Sequence, residues 1–567
     1  MLQRPASGWL LATVLAAGCG GVPSTQDGGG DTGVTSDASD AILAPDAEEA
    51  GDATDATDAG SDGATACGTP TECGALWERN ASARFVSVLG VPEDLAAFLR
   101  AVPKGGDLHN HLSGAVYAET VLDWAMTGGN CINSTTFGAV AASQCATAGN
   151  LPAPASGPFY DQILRAWSML DFVPGAQNGH DHFFATFGKF GTVAGTHRDD
   201  SIADVLGRAA AENEVYVETM FNLGTNVGTL AASVWSGTLT AADLPAFYDM
   251  LMANAGFAAQ LTRDVSAVTN AATRYSNTLG CTGASPPAAC GVRVRFVAQV
   301  GRTAANDQIF GQLVSAFEMA SRTPQIVAAN LSSPEDDPAS LRNYELHMAM
   351  LDFLYNHYTV THLSPLHITL HAGEVVPQFL PAGYSTANTF HIRRAVEVGH
   401  AERIGHGLDI LSETDAPALM DEMRDRNVLV EVCLSSNDQI LEVSGTNHPL
   451  SQYLAHGVPV ALATDDQGVS RSSMAGEYTR AVLDQHFDYL QLKATARNSL
   501  EHAFLPGPSL WASIATVQAV AACTPTATMA VGDETPSAEC QTFLTGSERA
   551  QAQWELERRF RQFERAQ

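Results

Sequence analysis

Short apolar, β-branched runs alternate along residues 105–466 with longer stretches whose apolar positions recur every three or four residues. The short runs predict strands at 105–112, 214–221, 292–300, 325–331, 367–372, 403–407, 429–434 and 459–464. Segments between them, such as 339–358 and 415–427, carry the 3.6-residue period of amphipathic helices. Continuously apolar strands alternating with helices imply a parallel sheet covered on both faces. Eight such units give an α/β fold class and fit a (β/α)8 TIM-type barrel. Residues 115–205, rich in Phe, Tyr and Trp, break the repeat and read as a helical insertion over the C-terminal mouth of the barrel. The segments 271–291 and 521–545 read as disulfide-closed surface loops, the second a further insertion in a domain spanning 67–567.

The N-terminal end changes the picture of where the chain works. Arg4, an apolar run from Trp9 to Ala17 and the small residues before Cys19 have the layout of a secretory signal over 1–18, too short to span a bilayer. The position of Cys19 resembles a bacterial lipobox, which would acylate it; the alternative is an ordinary cleaved signal. The expectation is an exported protein, lipid-anchored to the bacterial outer membrane on its periplasmic or cell-surface face, or else secreted. Residues 19–66 follow as a low-complexity tether. From Gly20 to Ala66 there are eleven acids, no Lys or Arg and almost no large apolar residue, so the segment cannot bury enough surface to offset its conformational entropy. About −21 of the formal −32 charge remains outside it. An acidic balance throughout argues against nucleic acid or an anionic membrane surface as a partner. Membrane contact is expected only through Cys19, and a neutral or cationic small molecule is compatible.

Of ten cysteines, eight fall as close neighbours flanking Gly/Pro/Ser/Thr-rich loops: Cys67 and Cys73, Cys131 and Cys145, Cys281 and Cys290, Cys523 and Cys540. Export favours disulfides, and local pairing is the simplest of many connectivities. Cys433 is left over inside an apolar run, where a free buried thiol is expected.

Candidate chemistry gathers at the C-terminal ends of the predicted strands, where such barrels build their sites. His109 and His111, two apart on the first strand, point to the same face. His371 ends the fifth strand and Asp465 the eighth, completing a three-nitrogen, one-oxygen set that zinc accepts. Glu374 lies three residues beyond His371; an acid there caps a helix or, beside a metal, shuttles a proton. His406 lies between two glycines, which let the backbone approach closely.

Taken together, HxH (109–111), HAGE (371–374), RIGHG (403–407), CLSSN (433–437) and TDD (464–466) resemble the adenosine deaminase family of the metal-dependent amidohydrolases, as does ARNSLEHAFL (496–505). The resemblance implies one zinc ion per chain held by His109, His111, His371 and Asp465, and hydrolytic deamination of adenosine or a close adenine nucleoside to inosine and ammonia. His406 would orient and deprotonate the attacking water, Glu374 would protonate purine N1, and Asp466 would hydrogen-bond N7. The fourth strand lacks the lysine that two-metal relatives carbamylate, which favours a single ion. The sequence departs from the family at Ser113, where an aspartate usually reaches the sugar 5′-hydroxyl, at Ser332 or Ser333, where a glycine usually lies near purine N3, and at Gln467, usually proline. Two other readings stand beside this one. The chain is a related hydrolase of another amino-purine, amide or amidine, since metal and water do not choose the substrate, or a binding or signalling protein on the same fold.

Overall fold

The computed structural model describes residues 67–173, 175–222, 225–362, 366–386 and 390–567. The expected signal (1–18), Cys19 and the tether (19–66) lie outside the described residues. Eight strands form one sheet in chain order: β1 (Gly105–His111), β2 (Glu214–Asn222), β3 (Arg293–Gly301), β4 (Ile326–Ser332), β5 (His367–Ala372), β6 (Arg403–His406), β7 (Leu429–Val432) and β8 (Val460–Leu462). Every neighbouring pair is parallel. Each strand coincides with its predicted run to within two residues at either end. All but β3, which alternates at its ends, are buried along almost their whole length, which is why they read as unbroken apolar runs.

The sheet closes on itself just past β8. A parallel bridge joins Asn110 to Asp465, with the amide of Asp465 donating to His109 O at 2.8 Å and the amide of His111 donating to Asp465 O at 3.0 Å. Asp107 reinforces the seam, accepting from the Thr464 hydroxyl at 2.5 Å and the Thr464 amide at 3.3 Å.

The two largest apolar clusters among the described residues follow from the topology. The larger joins the outer faces of the strands to the surrounding helices. The second belongs to the cover over the mouth. Val121, Ile163, Trp167, Phe183 and Phe190 pack there against Val376, Leu408, Ile440 and Val469 from loops after the strands. Helices Ala118–Thr127, Pro158–Trp167 and Gly179–Ala194 form most of the cover. It also holds a small antiparallel sheet of Cys131–Asn133, Ala139–Val140 and Asn150–Pro152. These strands are two or three residues long, too short for a periodic signal in the sequence. Helix Arg198–Ala211 places Ile202, Val205 and Leu206 in the larger core, so it is the crossover between β1 and β2.

Disulfides join Cys67 to Cys73, Cys131 to Cys145, Cys281 to Cys290 and Cys523 to Cys540. Cys433 is free and buried. The segment expected as a loop at 271–291 begins instead with helix Ala271–Leu279, which ends at Gly280 in the left-handed conformation. Gly280 is the C-cap of that helix. Likewise 521–545 ends in helix Ala538–Thr545, capped by the Ser537 hydroxyl.

The barrel interior carries charge. Arg403, fully buried on β6, reaches Glu218 and Glu431 at 2.6 Å each, and its guanidinium lies 3.9 Å from the Phe504 ring centroid. Removing one partner of such a group leaves buried charge without compensation. Arg403→Met is therefore expected to destabilise the protein by roughly 3–5 kcal/mol in urea unfolding; a loss below about 1 kcal/mol would show that the two glutamates are not held as charged groups.

Candidate metal centre

His109 and His111 lie at the C-terminal end of β1, where His371 meets them from the C-terminal end of β5. His371 Nε2 stands 3.1 Å from Nε2 of both His109 and His111. Asp465 Oδ1 is 3.4 Å from His111 Nε2 and 3.9 Å from His109 Nε2. All four residues are buried.

The outer nitrogens fix which atoms face inward. His109 Nδ1 contacts Glu431 Oε2 at 2.6 Å, and His371 Nδ1 contacts Asn330 Oδ1 at 2.7 Å. Both partners are acceptors, so each imidazole donates from Nδ1 and turns an unprotonated Nε2 to the centre. Two nitrogen lone pairs facing each other at 3.1 Å repel unless a cation lies between them. Nitrogens sharing a tetrahedral ion at about 2.0–2.1 Å would stand roughly 3.3 Å apart, so the donor set fits a borderline divalent ion such as zinc. Burial pulls His111 down to about 4 and His371 well below its usual range, keeping both neutral as ligands must be.

Glycines make room for this packing. A Cβ on Gly405 would lie 2.6 Å from His109 Cε1, and one on Gly114 would lie 2.0 Å from Asp466 Oδ1. The backbone therefore approaches where only glycine fits.

Glu374 and His406 border the centre. His406 Nε2 is 3.6 Å from Glu374 Oε1 and 3.8 Å from Asp465 Oδ2 and has no hydrogen-bond partner, nor has Asp466 Oδ1. Burial, then the charges of Asp465 and Glu335, push Glu374 well above the usual carboxylate range. Burial with Asp465 and Glu374 does the same for Asp466. Glu374, Asp466, Ser113 and Ser332 line one cavity of about 360 Å³, together with Phe183, Phe184 and Phe187 of the cover. Ser332 accepts from Gln299 Nε2 at 3.0 Å. The sequence-predicted residues thus come together at one mouth. Cys433, read from sequence as a plain core thiol, brings its sulfur within 4.8 Å of ligand atoms of His109, His406 and Asp465. Burial, the nearby carboxylates adding to it, raises its thiol well above the ordinary value, so it stays protonated and a poor donor.

Sequence reasoning missed the residues that hold these groups: Glu431, Asn330, Asn437 and Glu335. Glu335 lies in the loop after β4 and accepts from the amides of Gly373 and Glu374 at 2.9 and 2.8 Å. It also pairs with His391 Nδ1. The acid-rich string PEDD (334–337) was a signal, but it did not tell which carboxylate turned inward.

Residues 264–519 match the adenosine deaminase family model, a stretch holding His371, Glu374, His406, Asp465 and Asp466 but not β1. The adenosine deaminase of Klebsiella pneumoniae (strain 342) is 36% identical over 151 residues, 26% of this chain and 41% of that protein. That of Shigella boydii serotype 18 (strain CDC 3083-94 / BS512) is 31% identical over 220 residues, 38% of this chain and 56% of that protein. The chain thus spans about half the length of these relatives. Among solved structures, Arabidopsis ADAL complexed with IMP gives a TM-score of 0.45 at 18% identity, covering 72% of this chain and 93% of that chain. Adenine deaminase from Arthrobacter aurescens gives 0.43 at 18%, covering 71% and 94%. Over the matched stretch the chain is homologous to the adenosine deaminases.

Burial opposes ionisation of Glu335, but His391, Arg302 and the Gly373 amide hold it down to about 2 against an ordinary 4.5. A depressed carboxylate contributes stability that is present above 4.5 and lost as the pH falls toward 2. Glu335→Gln is therefore expected to be less stable than wild type at pH 7 by on the order of 3 kcal/mol, with the gap closing between pH 4.5 and 2. Urea unfolding of both proteins at pH 7, 4.5 and 3 checks this; a gap independent of pH would assign the loss to packing alone.

Proposed function

We propose that the protein is a mononuclear zinc aminohydrolase that converts adenosine, or a close adenine nucleoside, to its inosine counterpart and ammonia. The observation that carries the reading is the convergence of a three-imidazole, one-carboxylate donor set with the carboxyl groups of Glu374 and Asp466 at one aromatic-walled cavity. Homology over 264–519 supports the reaction class.

His109, His111, His371 and Asp465 would hold the ion. Zinc bound there supplies the Lewis acidity that makes a water nucleophilic near neutral pH. Attack at purine C6 breaks ring aromaticity and places charge on N1. Glu374, raised by burial, carries the proton that N1 takes up. Asp466, raised for the same reason, presents an O–H to the N7 lone pair. His406 Nε2, lacking a protein partner, is left for the attacking water. As the C6–N bond breaks, the proton of the added hydroxyl passes to the amino nitrogen, so the oxygen stays at C6 as a carbonyl and the amino group leaves as ammonia, while the other proton of the water returns to Glu374. Phe183, Phe184 and Phe187 cover the base and keep bulk water out. Ser113 and Ser332 offer hydroxyls at the sugar and ring edge, and Ser113 puts no carboxylate against a 5′-substituent.

Ammonia release from a panel of purines, nucleosides and nucleotides tests the reading. Adenosine is the expected substrate, with 5′-deoxyadenosine within roughly tenfold of it in kcat/KM, a difference of about 1.4 kcal/mol or less. Chelation should abolish the activity and zinc restore it. Glu374→Gln should keep the metal and lower kcat by roughly two or more orders of magnitude. Activity on other amidines but no purine would favour the related-hydrolase reading, and metal binding without turnover of any member would favour the binding-protein reading.

We further propose export with acylation at Cys19. Labelled fatty acid should enter the full-length protein in a bacterial host and be absent from Cys19→Ser; equal labelling of both would remove the anchor.

A further inference from the structure

Behind His406 runs a line of three hydrogen bonds that the proposed reaction does not use. The amide of Leu450 donates to His448 Nδ1 at 3.1 Å. His448 Nε2 lies 3.1 Å from Asn437 Oδ1, and Asn437 Nδ2 lies 2.9 Å from His406 Nδ1. Leu450, His448, Asn437 and His406 are all buried, so water does not compete for these groups.

The backbone end of the line decides the direction of every bond. Leu450 opens helix Leu450–Ala455, where the first amides have no carbonyl within the helix, and a backbone N–H can only donate. His448 Nδ1 is therefore an acceptor. Burial lowers His448 to about 4, so near neutral pH its single ring proton sits on Nε2 and is donated to Asn437. Asn437 receives it at Oδ1, which turns the amide nitrogen toward His406. His406 Nδ1 must then accept, and any proton on the His406 ring lies at Nε2. That nitrogen faces Glu374 and Asp465.

We infer that Asn437 and His448 are positioning residues that lock His406 in its Nε2–H form, so that His406 presents a hydrogen-bond donor, not a base, to the attacking oxygen. The inference refines the proposed deamination and rests on that reading for its catalytic meaning. The expectation that His406 deprotonates the water requires a lone pair at Nε2, and the relay supplies a proton there. Local geometry explains why the relay holds. Asn437 is fixed within helix Leu434–Leu441, and His448 precedes Pro449, the residue before the helix whose first amide it accepts from.

Nitrogen-15 NMR of the zinc-loaded, ¹⁵N-histidine-labelled protein reads the tautomer directly, with the His406 signals assigned by their loss in His406→Gln. Wild type should show His406 protonated at Nε2 with Nδ1 bare. Asn437→Asp keeps the shape but replaces the donor by an acceptor, so His406 should switch to Nδ1–H. The variant should keep one zinc and lose at least about a hundredfold in kcat with KM within about threefold of wild type. Wild type showing Nδ1–H, or Asn437→Asp switching tautomer while retaining kcat, would overturn the inference, the latter because a base at Nε2 would then suffice. Should Asn437→Asp fail to fold, the next link serves. His448→Leu should give a mixture of His406 tautomers, and His448→Gln, which keeps an N–H donor, should restore the single Nε2–H form; a single form in both would remove His448 from the relay. An Nε2–H His406 in a protein that deaminates nothing would sink the proposed function and leave the relay standing.

Discussion

The hydrogen bonds that close the barrel also place the candidate metal donors. Strand β8 is three residues long, and the sheet closes beyond it through the peptide groups of Asp465, His109 and His111. Three of the four donors are therefore fixed by the same backbone contacts that bring the last strand to the first. Asp465 adopts a φ of 57° and His406 a φ of 66°, left-handed values that cost a non-glycine residue on the order of 1 kcal/mol or more. Such strain persists only where neighbours over-determine the conformation. Here Asp107, Thr464 and Asn110 do so, tied to one another by side-chain hydrogen bonds.

Below this seam the barrel is filled partly by ions, not only by interdigitated apolar side chains. Glu218, Arg403, Glu431 and His109 form a continuous buried line, to which Tyr216 and Thr369 add hydroxyl donors. Well-packed apolar groups of similar volume would hold the barrel as firmly, because the desolvation of buried charge offsets most of its attraction. The ionic line does what apolar packing cannot. It ends on His109 Nδ1 and so sets that ring's rotation and the nitrogen it offers inward. Stability that an apolar core would have supplied is given over to orientation.

The eight strands and the donor set were legible because each has a signal confined to a few residues: an unbroken apolar run, an HxH pair, a histidine or acid ending a strand. His109, His111, His371, Glu374, His406, Asp465 and Asp466 meet because parallel strands all deliver their C-terminal ends to one mouth. The residues that orient them were not legible. Glu431 lies inside a run read as strand core, Asn437 closes the CLSSN string without that string showing what it does, and His448 lies in turn sequence with nothing to mark it. Their role is fixed by partners far along the chain, as in the pair of His109 with Glu431, 322 residues apart. The disulfide-closed loop read at 271–291 hid helix Ala271–Leu279, which runs up to the cysteine pair. The small sheet of the cover escaped because strands of two or three residues have no period to detect.

The cover is tied to the site through packing as well as position. Its core takes Val376, Leu408, Ile440 and Val469. Each of these stands two or three residues past a group at the mouth: Glu374, His406, Asn437 and Asp466. Every segment that carries such a group, loop or short helix, therefore starts at a barrel strand and ends buried in the cover. Burial of one aliphatic side chain contributes roughly 1.5–3 kcal/mol, enough to hold a loop that would otherwise wander. The barrel core and the cover core thus act on these segments from both sides. The left-handed backbone at His406 and Asp465 lies between those anchorages, so the apolar packing of the cover helps to maintain the strained geometry from which the site is built.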